Sequence, residues 1–156
     1  MTKVYSTMSL EPGNYEITSA IDGNPIVARH PIEDHSGNPK TVFALPLGIR
    51  PLGPWTVEKA SGDKYILKAF GSPTAAIDKK LFAILNDLYP AQEWVVTRIP
   101  QAGEDAYTVR KPDSPEGWFT AETDEQIKVQ HLIVGPSEPP FHPPGNVFIF
   151  KLLLED

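Results

Sequence analysis

Asp34, His35 and Ser36 stand side by side in the chain. They are the three side-chain types that carry acyl transfer: a hydroxyl to attack, an imidazole to take its proton and a carboxylate to orient the imidazole. Such a triad works by convergence in space, and its members come from distant positions in a chain. Adjacent residues seldom converge. The Gly-x-Ser-x-Gly turn that presents a nucleophilic serine does not occur either. His30, His35, His131 and His142 include no His-x-x-x-His pair, so their spacing predicts no zinc site. With zero cysteines there is no thiol nucleophile, cysteine-held metal centre or disulfide framework. That composition fits a reducing compartment. No Gly-x-Gly-x-x-Gly and no Gly-Lys-Ser/Thr phosphate cradle is present. Fourteen Lys+Arg against 20 Asp+Glu give a net charge of −6 with no long basic run, which argues against binding a phosphate backbone. The expectation is a protein without catalysis, metal or cofactor.

What remains is chemistry of recognition. The run Pro31-Ile32-Glu33-Asp34-His35-Ser36-Gly37-Asn38-Pro39-Lys40 has prolines near both ends, and Pro25 stands just before the strand that leads into it. Proline fixes φ and removes conformational entropy before a partner arrives, so such a loop is pre-organised. It reads either as a stiff connector or as the extended, convex loop by which a serine protease inhibitor is gripped. Trp55 and Trp94 head predicted strands and read as core. Trp118, beside Gly117 in a Pro-, Asp- and Ser-containing stretch, reads as exposed and is the one candidate for stacking on a sugar. The stretch 135–144, with five prolines, fits polyproline II but reads more simply as a stiff crossover between the last two strands.

The elements that would hold these residues are short. Seventeen prolines, about twice the usual share of roughly 5%, and 11 glycines punctuate the chain. Strands are predicted at 15–19, 26–30, 41–45, 55–59, 65–69, 94–99, 107–110, 127–134 and 147–153. Between 75 and 88 the apolar Ile77, Leu81, Ile84, Leu85 and Leu88 recur at helical steps after a capping Thr74. The repeat pattern instead places two strands there, 75–77 and 81–85, with Asp78-Lys79-Lys80 as their turn, and that reading is preferred. The repeat is a Gly turn leading into a Tyr-headed strand, seen at Gly13-Asn14-Tyr15, Gly62-Asp63-Lys64-Tyr65 and Gly103-Glu104-Asp105-Ala106-Tyr107. Three units of four strands predict an all-β fold, a β-trefoil with a six-stranded barrel closed by three hairpins. An unrelated β-sandwich with coincidental tyrosines is the alternative.

The length of 156 residues, 40% hydrophobic and 22% charged, fits one domain. Residues 1–8 read as an extension, since Met8 could itself start the chain, and 9–156 as the trefoil domain. No apolar stretch approaches the roughly 20 residues of a membrane helix, and no secretory signal is evident at the N-terminus. The expected location is the cytoplasm, with release on tissue damage an analogy only.

With the loop and the repeat in hand, the sequence resembles the mushroom serine protease inhibitors of the cospin type. The likeness runs in order through Ser9-Leu10-Glu11-Pro12-Gly13-Asn14-Tyr15, Ile26-Val27-Ala28-Arg29, Glu33-Asp34-His35-Ser36-Gly37-Asn38-Pro39-Lys40 and Lys64-Tyr65-Ile66-Leu67. It continues with Leu132-Ile133-Val134-Gly135-Pro136-Ser137-Glu138-Pro139-Pro140 and Asn146-Val147-Phe148. The resemblance implies a monomeric, cysteine-free β-trefoil that inhibits trypsin through the loop between its second and third strands. On that basis Asn38 enters the protease specificity pocket, Gly37 and Pro39 shape the loop, and Ser36 and Lys40 extend the contact. Lys40 is the basic alternative for the inserted residue, and Arg29, inside a predicted strand, is less presentable. Two rival readings remain. One is a cysteine protease inhibitor of mycocypin type acting through loops such as Ala20-Ile21-Asp22-Gly23-Asn24, the other a trefoil lectin using Trp118.

Overall fold

Gly13–Ser19 turns Tyr15, Ile17 and Ser19 inward and leaves Asn14, Glu16 and Thr18 half-buried, the period of two that a strand with one face on a core requires. The structure, a computed structural model, describes residues 10–33, 36–86, 91–137 and 140–153. The expected extension at 1–8 lies outside them. The described strands are β1 (Gly13–Ser19), β2 (Val27–Arg29), β3 (Lys40–Ala44), β4 (Trp55–Lys59), β5 (Lys64–Ala69), β6 (Ser72–Ile77) and β7 (Lys80–Ala83). They continue as β8 (Trp94–Arg98), β9 (Ala106–Arg110), β10 (Glu116–Phe119), β11 (Glu125–Gln126), β12 (Lys128–His131) and β13 (Phe148–Leu152). The fold is all-β, with two single 3-10 turns at Pro100–Ala102 and Pro144–Asn146 among the described residues.

All the strand pairings are antiparallel. They close on themselves through β1, β4, β5, β6, β7, β12, β10, β9 and β13, a nine-strand closed circuit. β8 spans from β5 to β9 across that circuit. β3 joins through β2, β7 and β11. Closure leaves few strand edges exposed, which answers the aggregation hazard of a strand-rich chain.

Inside sit Trp55, Trp94 and Trp118, each no more than 1% exposed. Ring centroids are 5.4 Å apart for Trp55 and Trp118, 5.7 Å for Trp94 and Trp118, and 5.6 Å for Trp118 and Phe148. Removing an indole of this size from water contributes about 5 kcal/mol. Trp55 Nε1 donates to the Val27 carbonyl at 2.6 Å and Trp94 Nε1 to Thr74 Oγ1 at 3.2 Å. Trp55 and Trp94 are core, as their strand-leading positions suggest. The exposed position expected for Trp118 is corrected: residues 116–119 form β10, whose inward phase carries the ring to the centre.

Two further expectations shift. The strand predicted at 127–134 is the shorter β12, which begins after the fully buried Ile127 and ends at His131, and β11 just ahead of it is a strand the sequence does not predict. The hairpin placed at 75–85 is present as β6 and β7, and the helical reading of its spacing fails. Asp78 and Lys79 turn the chain with φ of 52° and 64°, the pair of positive values that matches strand twist in a two-residue hairpin turn.

Candidate functional site

The loop between β2 and β3 is closed at its base by strand pairing. Val27, Ala28 and Arg29 face Ala44, Phe43 and Val42, and His30 N donates to the Thr41 carbonyl at 3.1 Å. The His30 ring packs edge-on to Phe43 at 4.9 Å, and its Nδ1 accepts from Ile32 N at 3.2 Å, turning the chain outward. Ile32, the next residue to face solvent, is 82% exposed.

The rising limb has an ionic brace. Arg29 Nε donates to Glu33 Oε2 at 3.0 Å and its Nη2 to Oε1 at 2.8 Å, a bidentate pair whose side chains are 9% and 13% exposed. The remaining nitrogen, Nη1, lies 3.3 Å from Ser72 Oγ and 3.4 Å from the Phe70 carbonyl, and the guanidinium sits 5.4 Å over the Phe70 ring. One arginine thus joins the start of the loop to the turn between β5 and β6.

Asp34 and His35 fall outside the described residues, so the adjacent Asp-His-Ser run has no geometry to assess. Beyond it, Ser36, Gly37 and Asn38 are exposed and Pro39 is half-buried. Ser36 Oγ accepts from Asn38 N at 3.2 Å and from Lys40 Nζ at 3.4 Å. Asn86 Nδ2, 49 residues away in sequence, donates to the Gly37 carbonyl at 2.8 Å. Lys40 differs from its neighbours. It opens β3, is 5% exposed in pleat phase with Val42 and Ala44, and pairs in register with Ala83. The structure therefore groups Ser36, Gly37 and Asn38 at the tip and puts the lysine at the base.

The contrast with residues 20–24 is one of shape. There Asn24 N donates back to the Ile21 carbonyl at 2.9 Å, with positive φ at Gly23 and Asn24, so the chain is a tight turn rather than an extended limb. Asn24 Nδ2 also donates to the Ser19 carbonyl at 3.0 Å. In the stretch 135–144, Gly135 and Phe141 exchange backbone hydrogen bonds, as suits a connector folded on itself between β12 and β13. No group of three or more His, Cys, Asp or Glu gathers among the described residues. Burial pushes the Tyr15 hydroxyl up to about 12 and raises Tyr107, on β1 and β9 respectively, while it lowers His142.

Sequence reasoning passed over Glu33 and Asn86 as working parts. Arg29 and Glu33 are four apart, a spacing read as meaningful on a helix and not where a strand becomes a loop. For Asn86 there was no local signal, since its partner is fixed only when β7 lies beside β3.

Three comparisons bear on this geometry. The model of the family described as peptidase inhibitor I66 matches residues 8–152. A protein of Lentinula edodes named "Serine protease inhibitor" is 42% identical over 146 residues, covering 92% of this chain and 99% of its own. A solved proteinase inhibitor from Coprinopsis cinerea superposes with a TM-score of 0.86 at 38% identity, over 93% of this chain and all of that one. At 12% identity the chain also shares its fold with a designed three-fold symmetric protein, ThreeFoil, at a TM-score of 0.62 over 90% of this chain and 99% of that one.

Proposed function

The chain belongs to the peptidase inhibitor I66 family, as the resemblance read from its sequence implies, and from that premise we propose that it is a reversible, substrate-like inhibitor of trypsin-like serine proteases. The loop between β2 and β3 is the part that is gripped, and Asn38 is the residue inserted. The observation that carries this reading is a tip of three exposed residues, Ser36-Gly37-Asn38, held from within by the Ser36 hydroxyl and from outside by Asn86.

The chemistry follows from that rigidity. The protease serine oxygen adds to the Asn38 carbonyl carbon, and the bond to Pro39 nitrogen breaks. The serine proton passes through the enzyme's histidine to that nitrogen, leaving an ester on Asn38 and a secondary amine on Pro39. In a flexible substrate the amine departs and water takes its place. Here the amine is held a residue from Lys40 at the start of β3, so it attacks the ester, the proton returns to the serine, and the original bond re-forms without net change. The trypsin pocket has an acidic base, which an asparagine meets by hydrogen bonding rather than by charge. Loop stiffness and contacts from Gly37, Pro39 and the flanking Ser36 then supply the rest, over an ordinary interface of roughly 800 Å² per partner. Burial of Lys40 makes it a brace, contributing backbone contact, and favours Asn38 over it as the inserted side chain.

The scaffold is read as a β-trefoil acting as a monomer. Supporting this, β1, β4, β5, β8, β9 and β13 form a shorter circuit of pairings. The hairpins β2–β3, β6–β7 and β10–β12 stand outside it, and the likeness to a three-fold symmetric design agrees. The lectin alternative loses its residue, since Trp118 is core, and residues 20–24 offer a folded turn to a cysteine protease cleft.

Titration of trypsin with wild type and Asn38→Ala is the test. The expected result is inhibition weakened at least about a hundredfold, the size of a central anchor residue, with an unchanged thermal midpoint. Papain run in parallel should remain active. Equal trypsin inhibition by the variant removes Asn38 from the site.

A further inference from the structure

β3 and β7 are antiparallel neighbours in which Lys40 faces Ala83 and Thr41 faces Phe82. Extending that register outward brings residue 86 opposite residue 37, and there the structure has Asn86 Nδ2 donating to the Gly37 carbonyl at 2.8 Å. A Cβ built on Gly37 would stand 3.5 Å from the same nitrogen, so the two chains run in contact at this point. The strand pairing has ended, yet a side chain continues it in kind, an amide N–H to a backbone carbonyl.

We propose that β7 and the residues following it form a splint across the reactive bond, with Asn86 as a positioning residue; this rests on the reading that Asn38–Pro39 is the bond attacked. On one side of that bond Gly37 is held by Asn86. On the other, Lys40 is held by pairing with Ala83. Both anchors belong to a single stretch of chain, three residues apart, so cutting the loop leaves the two ends attached to one support. The amine of Pro39 then stays within reach of the ester on Asn38, and re-formation of the peptide bond outpaces attack by water. Ser36 acts within the loop, accepting from Asn38 N and from Lys40 Nζ across the same bond. The Arg29–Glu33 pair braces the loop too, but wholly on the side that precedes Asn38. Only an anchor spanning both sides keeps cut ends in register.

The test uses the full chain with Asn86→Ala and Asn86→Asp. The aspartate keeps the shape of the side chain and drops the donor, so a packing role would survive in it and a donor role would not. Each variant is incubated with catalytic trypsin, with residual inhibition followed over time and the loop bond by mass spectrometry, beside Asn38→Ala and wild type. The expected result for both Asn86 variants is an inhibition constant raised about tenfold, the worth of one net hydrogen bond to a positioned group. Inhibition should also decay as the bond after Asn38 is cut, while the thermal midpoint stays with wild type. Asn86 variants that inhibit as long and as tightly as wild type overturn the splint. If that happens while Asn38→Ala has lost inhibition, the loop assignment stands and only the splint falls. If Asn38→Ala inhibits normally, the assignment and the splint both fall.

Discussion

Arg29 is 8% exposed inside a strand, where burying a guanidinium is costly unless its donors are met. Glu33 meets two of them, at 2.8 and 3.0 Å, and the Phe70 carbonyl and Ser72 hydroxyl are within reach of a third. Removing one partner leaves the other charge desolvated, so Glu33→Ala should cost about 3 kcal/mol of stability. Chemical denaturation checks that value, and a loss below about 1 kcal/mol would mean the pair is effectively solvated. Replacing both charges by Arg29→Met with Glu33→Leu should recover most of the stability, because an apolar pair of similar volume has no desolvation to repay. It should not recover trypsin inhibition fully, since nothing then fixes the rising limb of the loop to the β5–β6 turn. A double variant equal to wild type in both respects would show that the brace acts through stability alone.

At the level of the element, the hairpin β6–β7 is the instructive case, because two periodicities compete for the same residues. Leu81, Ile84 and Leu85 fall at helical steps, yet Ala75, Leu81 and Ala83 are buried and Leu85 is exposed, which a helix facing one way would not produce. A Gly turn before a tyrosine, read three times in the sequence, favours strands where local pattern leaves the choice open, and each of those tyrosines is buried. At Trp118 the local pattern points outward while the ring is buried. The Pro, Asp and Ser before it are turn chemistry, and only pairing with β12 and β9 makes Glu116–Phe119 a strand. The loop was visible from its prolines, whereas its supports at Glu33 and Asn86 depend on which strands become neighbours. The turn of β6–β7 carries its own prediction. Lys79 has φ of 64°, a region where a Cβ costs about 1 kcal/mol. Lys79→Gly should therefore stabilise by about 0.5 to 1 kcal/mol, glycine being the preferred residue at the second position of this turn. A urea midpoint moving upward with unchanged slope is the expected readout. A downward move would show that chain entropy outweighs the relieved strain.

For the molecule as a whole, the three repeated tyrosines tie distant parts of the chain to the core. Tyr15, Tyr65 and Tyr107 lie on β1, β5 and β9 and are 4%, 1% and 7% exposed. Tyr15 and Tyr107 both pack edge-on to Phe150, at 6.1 and 5.2 Å. The Tyr15 hydroxyl donates to the Glu11 carbonyl at 2.7 Å, and that of Tyr65 accepts from Leu10 N at 3.0 Å, so the start of the described chain is tied across the barrel through phenols. Tyr15 and Tyr107 make stability depend on alkaline pH with a definite sign. Burial, reinforced by Tyr107 and Glu11, lifts Tyr15 to about 12 from an unfolded value of 10.0. Between those two values the unfolded chain gives up its proton while the folded one retains it, so unfolding is increasingly favoured. The contribution is fully present below about pH 10 and is lost as pH rises toward 12. Denaturant midpoints measured from pH 8 upward should hold level and then fall above about pH 10. Tyr15→Phe should lower the plateau by about 1 kcal/mol through the lost hydrogen bond. It should also soften the alkaline fall without abolishing it, because Tyr107 is raised as well. If the variant falls as steeply as wild type over that range, Tyr15 ionises as freely in the folded chain as in the unfolded one, and the barrel does not exclude water from it.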